Sequence, residues 1–169
     1  MIQLIVGNEG KGKTTKLLEK ANTEITTAKG TIVYLDKNTK HMYELNNKIR
    51  LIDVSEYDFK TTDEFYGFVC GIISTDHDLE QMYFDNFLKV ASVAKEELTS
   101  VLEKFSALSE KTTTDMFMSI AVDKCDVPEQ YQSDIIIALS FIEKFGNIRP
   151  RSCHRGFYKV LYSLKMGIL

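Results

Sequence analysis

The stretch Gly7-Asn8-Glu9-Gly10-Lys11-Gly12-Lys13-Thr14-Thr15 constrains this chain more than any other. It satisfies the pattern G-x-x-x-x-G-K-[ST], in which a glycine-rich turn surrounds a phosphate with main-chain N–H groups. The flanks have the character this chemistry requires. Ile2, Leu4, Ile5 and Val6 form a short apolar run that ends at the first glycine and reads as a buried strand. Lys16 to Ala21 continues with strong helix formers. Glycine lets the main chain take positive φ and approach a ligand closely, and the helix N-terminus adds partial positive charge at the same point. The pattern implies a nucleoside triphosphate site spanning Gly7, Asn8, Glu9, Gly10, Lys11, Gly12, Lys13, Thr14 and Thr15. Within it, Lys13 is expected at the β- and γ-phosphates and the Thr14 hydroxyl on Mg2+.

The rest of the chain alternates strand and helix signals. Lys29-Gly30 is expected to stop the first helix. Thr31 to Leu35, β-branched and aromatic, reads as a second strand ending on Asp36. A short helix is expected around His41 to Leu45, and Arg50 to Val54 reads as a third strand. Thr61 or Thr62 can cap a helix that carries Phe65, Phe68, Val69, Ile72 and Ile73 on one face. Gln81 to Asp85 reads as a fourth strand, residues 88–110 as the longest helix, and Asp115 to Val122 as a fifth strand. Pro128 suits the first turn of a final helix running toward Phe145. The pattern predicts an α/β three-layer sandwich with a mainly parallel sheet of about five strands, its functional groups at the carboxyl ends of the strands. The domain is expected over residues 1–145, with a C-terminal extension over 146–169.

A phosphate loop that binds Mg-nucleotide needs a carboxylate from another strand to order metal-bound water. Asp85, closing the run Met82-Tyr83-Phe84, is the candidate. Asp36 also ends a strand, and an ordinary strand-ending aspartate is the alternative reading for either residue.

The succession Gly7 to Thr15, Tyr34-Leu35-Asp36, Tyr83-Phe84-Asp85 and a strand ending near Ser119 to Asp123 resembles the core of RecA-like P-loop ATPases. More narrowly, the chain resembles short bacterial P-loop proteins often labelled ATPases of the twitching-motility type. The resemblance covers roughly residues 1–125, and only the phosphate loop in it is specific. It implies a P-loop NTPase core in RecA-like order, ATP and Mg2+ as cofactors, and a γ-phosphate sensor near Ser119 or Asp123. The chain departs from it at the general base. Asn38 stands two residues past Asp36, where such enzymes place a glutamate, and Asn86 follows Asp85, where many other P-loop ATPases carry the base. Asparagine can position a water but cannot take its proton. Asp36 and Glu56 are the remaining candidate bases.

Composition narrows the classes further. A net charge of -3 gives no general nucleic-acid footprint. Yet Lys144, Arg149, Arg151, Arg155, Lys159 and Lys165 form an acid-free basic tail, in which Phe157, Val160, Leu161, Leu164 and Ile168 can make an apolar helical stripe. Cys70, Cys125 and Cys153 lack metal-ligand spacing and read as thiols of a reducing compartment. His41, His77 and His154 are far apart in sequence and read as surface or loop residues. No apolar run is long enough for a membrane span and no charged leader precedes the first strand, so a cytoplasmic protein is expected.

Three functions stay open on the sequence. The first is a Mg-dependent ATP-binding protein acting as a slow or partner-stimulated ATPase or nucleotide switch, with Lys13, Asp36 and Glu56 as candidate catalytic residues. The second is a nucleoside or nucleotide kinase. The segment from Gly10 to Leu18 resembles the loop of bacterial thymidine kinases, but the paired cysteines of their zinc lasso are missing. The third is an interaction module whose nucleotide site is structural or lost. The sequence does not identify a protein partner or an oligomeric state, and without an N-K-x-D segment for guanine it favours ATP over GTP.

Overall fold

In the computed structural model, which describes residues 1–139, six parallel strands form one sheet with helices on both faces. The strands are β1 (Ile2–Gly7), β2 (Thr31–Asp36), β3 (Arg50–Asp53), β4 (Leu79–Phe84), β5 (Asp115–Ile120) and β6 (Ile135–Leu139). Their order across the sheet is β3-β2-β4-β5-β1-β6. The helices are α1 (Lys13–Glu24), α2 (Thr62–Thr75), a single turn α3 (Phe87–Val90) and α4 (Leu98–Thr112).

The alternation of side chains along each strand decides which helix covers which face. Leu4, Val6, Val33, Leu35, Met82, Phe84, Met116 and Met118 point into one core, closed by Phe65 and Val69 of α2, Phe87 of α3, and Leu102 and Phe105 of α4. Ile5, Ile32, Tyr34, Tyr83 and Phe117 point the other way, against Leu17, Leu18 and Ala21 of α1. That thinner layer rests on an aromatic row crossing β2, β4 and β5. Tyr34 stacks on Tyr83 at 6.1 Å between centroids, and Tyr83 stacks on Phe117 at 4.6 Å. Lys20 of α1 lies over the Phe117 ring at 4.8 Å, a cation–π contact that ties the helix to the row.

The start of α2 matches its sequence signal. Thr61 accepts from the Glu64 N–H while Glu64 accepts from the Thr61 N–H, a reciprocal cap that satisfies two of the donors at the helix start. The aromatic residues Phe59, Tyr66 and Phe68 pack against the core around the buried Phe65.

Three expectations are corrected. Residues 135–139 form a strand, making six strands instead of five; Pro128 leads only into a short 3-10 turn, Glu129–Asp134. The run Ile135-Ile136-Ile137 is β-branched, and its burial alternates with a period of two along the free edge of β1, as an edge strand requires. The remainder of the expected helix, the basic tail and its apolar stripe, and with them Cys153 and His154, lie outside the described residues. The helix expected over 88–110 is broken. Ser92 takes φ 52°, the Val93 N–H closes back on the Leu88 carbonyl at 2.9 Å, and a 3-10 turn at Lys95–Glu97 precedes α4.

The third correction concerns Gly30, which is not the helix stop. α1 ends at Glu24, and Gly30 instead allows main chain to pass against main chain: a Cβ there would run into the Asp78 carbonyl, which accepts from the Thr31 N–H at 2.7 Å. Among the described residues no helix is long and apolar enough to cross a membrane.

Candidate functional site

The carboxyl edge of the sheet gathers the site. β1 delivers the glycine-rich turn, and α1 departs from it at Lys13. Gly7, Gly10 and Gly12 have φ of 152°, 74° and 82°, a main-chain path that residues with a Cβ rarely follow. Gly12 sits at the N-cap of α1 with no side-chain acceptor, so the first-turn N–H groups keep their capacity for an anion. Gly7 is further constrained by packing, since a Cβ there would stand 2.5 Å from the Leu139 carbonyl oxygen. Gly7→Ala is therefore expected to cost about 3 kcal/mol or more from strain and overpacking, read as a lowered urea midpoint.

Lys13 is buried, and its Nζ donates to the Asn8 carbonyl at 2.8 Å across the turn. Loss of hydration pulls its pKa down, while Asp85 and then Glu9 push it back up. Thr14 donates from Oγ1 to Asp85 Oδ1 at 3.1 Å, joining residues 71 positions apart. Asp85 is oriented from three directions. Its N–H extends the sheet to the Leu35 carbonyl at 3.0 Å, and its Oδ1 also accepts from Ser119 Oγ at 2.7 Å. Ser119 Oγ in turn accepts from the Asn86 N–H at 2.7 Å, so the end of β5 fixes the turn after β4. Asn86 itself takes a left-handed conformation, φ 52°, and its buried Oδ1 has no hydrogen-bond partner among the described residues.

These groups line an open cavity of about 270 Å³. Its walls are Glu9 to Thr14, Asp85, Asn86, Lys89, Ser119 and Ala121. Of the residues singled out in the sequence, Glu9, Gly10, Lys11, Gly12, Lys13, Thr14 and Asp85 meet in it. Gly7, Asn8 and Thr15 belong to the turn but not to the lining, and Thr15 is exposed. Glu56 is exposed on a 3-10 turn and lines a separate cavity of about 320 Å³ with Lys37, Tyr57 and Phe59. Asp123 is not in the lining of either cavity.

Asp36 is almost wholly buried at the end of β2, with Oδ2 lacking a hydrogen-bond partner among the described residues and Oδ1 accepting a long contact, 3.4 Å, from Asn38. Burial first, and then the charge of Asp85, push its carboxyl up to about 6. The position of Asn38 thus serves Asp36 instead of presenting a base.

Two residues enter the site without a sequence signal. Lys89, on α3, lines the cavity and bridges to Glu9 at 2.7 Å, an ion pair at the cavity mouth that holds Glu9 below the usual carboxylate range. His41, expected at a surface or loop position, lies on the 3-10 turn Lys40–Tyr43 and comes together with Asp36 and Asp85. Only the one-turn helix α3 and the turn after β2 bring these side chains in, and neither has a periodicity to read.

Hard oxygen donors and a glycine-lined anion cradle are the donor types that a Mg-polyphosphate needs, so the residues present fit that group. No protein-family model matches the chain, and a search of the curated proteins finds no match.

Proposed function

We propose that the chain is a Mg-dependent nucleoside triphosphate-binding protein, with ATP as the favoured nucleotide and slow or partner-stimulated hydrolysis. The observation that carries this reading is the 3.1 Å contact between Thr14 Oγ1 and Asp85 Oδ1 beside the glycine-rich turn. A hydroxyl on the first helical turn and a carboxylate from a different strand are the two groups that hold the metal of a triphosphate. The sheet order, with β5 between the strand of the turn and the strand of Asp85, supports the RecA-like form of the core.

Thr14 and Asp85 would hold Mg2+, which when bound supplies positive charge to the β- and γ-phosphate oxygens. Lys13 gives up its contact to the Asn8 carbonyl and turns its charge on the phosphates, and the first-turn N–H groups of α1 hold them in register. Hydrolysis is slow because Asn86 and Asn38 accept no proton. Asp36, half ionised near pH 6, is buried, with the Asn38 amide at 3.4 Å and the charge of Asp85 opposing its ionisation.

Asp85→Asn tests the carrying observation: it keeps the shape and removes the charge. ATP affinity measured by calorimetry is expected to lose its dependence on Mg2+, and steady-state hydrolysis by the isolated wild type to stay below about 1 s⁻¹. Mg2+ dependence unchanged in the variant contradicts the reading.

Lys89 is expected to reach the terminal phosphate, exchanging Glu9 for it. Glu9→Gln should then strengthen ATP binding, and Lys89→Ala should weaken it relative to ADP, each by roughly three- to tenfold because the pair is exposed. Titrations with ATP and ADP read the difference.

A further inference from the structure

We propose that Asp36, His41 and Asp85 form a binding site for a divalent transition-metal cation, distinct from the Thr14–Asp85 pair and sharing only Asp85 with it. One ligand atom from each of the three lies within 4.8 Å of the other two. Around a cation with bonds of roughly 2.1 Å, three neighbouring donor atoms sit about 3 to 3.6 Å apart, so side-chain rotation closing the cluster by up to roughly 1–2 Å would seat the ion.

Three further observations point to a cation and not to a chance cluster. Asp36 is 4% exposed, and its Oδ2 has no hydrogen-bond partner among the described residues. A buried carboxylate oxygen is costly to leave unpaired, and a cation is the group that would satisfy it together with Asp85. His41 Nδ1 lies 2.8 Å from Glu44 Oε1, and in the tautomer with its proton on Nδ1 the lone pair for a cation is on Nε2. A carboxylate behind a histidine fixes ring orientation and raises ligand basicity, the usual outer partner of a metal-bound imidazole.

The donor set also selects the cation. Two carboxylates and one imidazole suit Mn2+, Co2+ or Zn2+, whereas Mg2+ prefers oxygen alone and parts reluctantly with its water. The cluster needs no nucleotide, so its occupancy is read separately from triphosphate binding. Its place at the carboxyl ends of β2 and β4 puts that cation beside the turn, with Asp85 common to both positions.

The full chain, free of nucleotide, is titrated with Co2+, followed by its visible absorption and by calorimetry, with Mg2+ as competitor. One Co2+ per chain is expected, bound at least tenfold more tightly than Mg2+. His41→Ala is expected to weaken it by tenfold or more, and Glu44→Ala by a smaller factor through the freed ring. His41 lies on a 3-10 turn outside the two cores, so its removal leaves the fold intact, and circular dichroism checks that. Asp36→Asn gives a second, independent loss. Absence of Co2+ binding, Mg2+ binding as tight as Co2+, or Co2+ affinity unchanged in His41→Ala overturns the proposal; the last places the ion at the Thr14–Asp85 pair or elsewhere.

Discussion

Replacing Lys13 by alanine is expected to remove triphosphate binding while leaving the protein folded and no less stable. The two effects separate because Lys13 contributes differently to each. In the free protein its ammonium is buried, with hydration lost and only partly replaced by the Asn8 carbonyl at 2.8 Å and the charges of Asp85 and Glu9, so its pKa is drawn down on balance. Because the lowered pKa means that folding disfavours the charged form on balance, removing that charge is not expected to lower stability. With phosphate present the same ammonium makes charge-assisted bonds, each worth about 1.5–3 kcal/mol. Losing one of these weakens binding by roughly 10- to 150-fold, and losing two by about 150-fold or more. Calorimetry with Mg-ATP and a urea melt on the same preparation read both quantities. A variant that binds as the wild type does would mean that the phosphates are held elsewhere.

Asp36→Asn is expected to stabilise the free protein at neutral pH. The folded carboxyl is pushed up to about 6 from an ordinary 3.8, so the native state holds the proton more tightly than the unfolded chain. Below about pH 4 both states are protonated and Asp36 adds no penalty. As pH rises from 4 to 6 the unfolded state releases its proton first, and stability falls; above 6 the penalty is complete. Two units correspond to roughly 3 kcal/mol, an order-of-magnitude figure. Asparagine does not titrate, so the variant should lose this slope between pH 4 and 6. Near pH 7 it should melt about 5–10 °C higher. Stability–pH curves of the two proteins check it, and an identical slope in both contradicts the assignment. A carboxylate that weakens the fold at neutral pH is the kind of residue kept for binding rather than stability.

The sequence made legible what depends on period and on the chemistry of a turn. The alternation in β1, β2, β4 and β5 sorts their side chains between two cores, and Thr61 with Glu64 marks the start of α2. The Thr14–Asp85 contact follows from a strand that ends on a carboxylate. What was not legible depends on tertiary context. Ile135-Ile136-Ile137 suits a helix or a strand equally until the open edge of β1 pairs with it. The break after Val90 comes from Ser92 in a left-handed conformation, within a stretch whose composition favours helix. Gly30 looks like a helix stop, but its role is set by Asp78, a neighbour 48 positions away. Lys89 and His41 reach the site from a one-turn helix and a 3-10 turn, segments too short to show a pattern. For the edge strand, Gly30, Lys89 and His41 the deciding group lies outside the window in which local sequence acts; at Ser92 it is a left-handed conformation that the local composition does not signal.

The central claim is that the turn at residues 7–15, together with Asp85, binds a Mg-nucleoside triphosphate. The most direct test is thermal unfolding of the wild-type chain alone, with ATP and excess EDTA, and with Mg-ATP. At 100 times its dissociation constant, Mg-ATP should add about 2.7 kcal/mol, raising the melting temperature by several degrees, with a smaller rise in EDTA. A melting temperature that does not move with Mg-ATP at millimolar concentration would contradict the account.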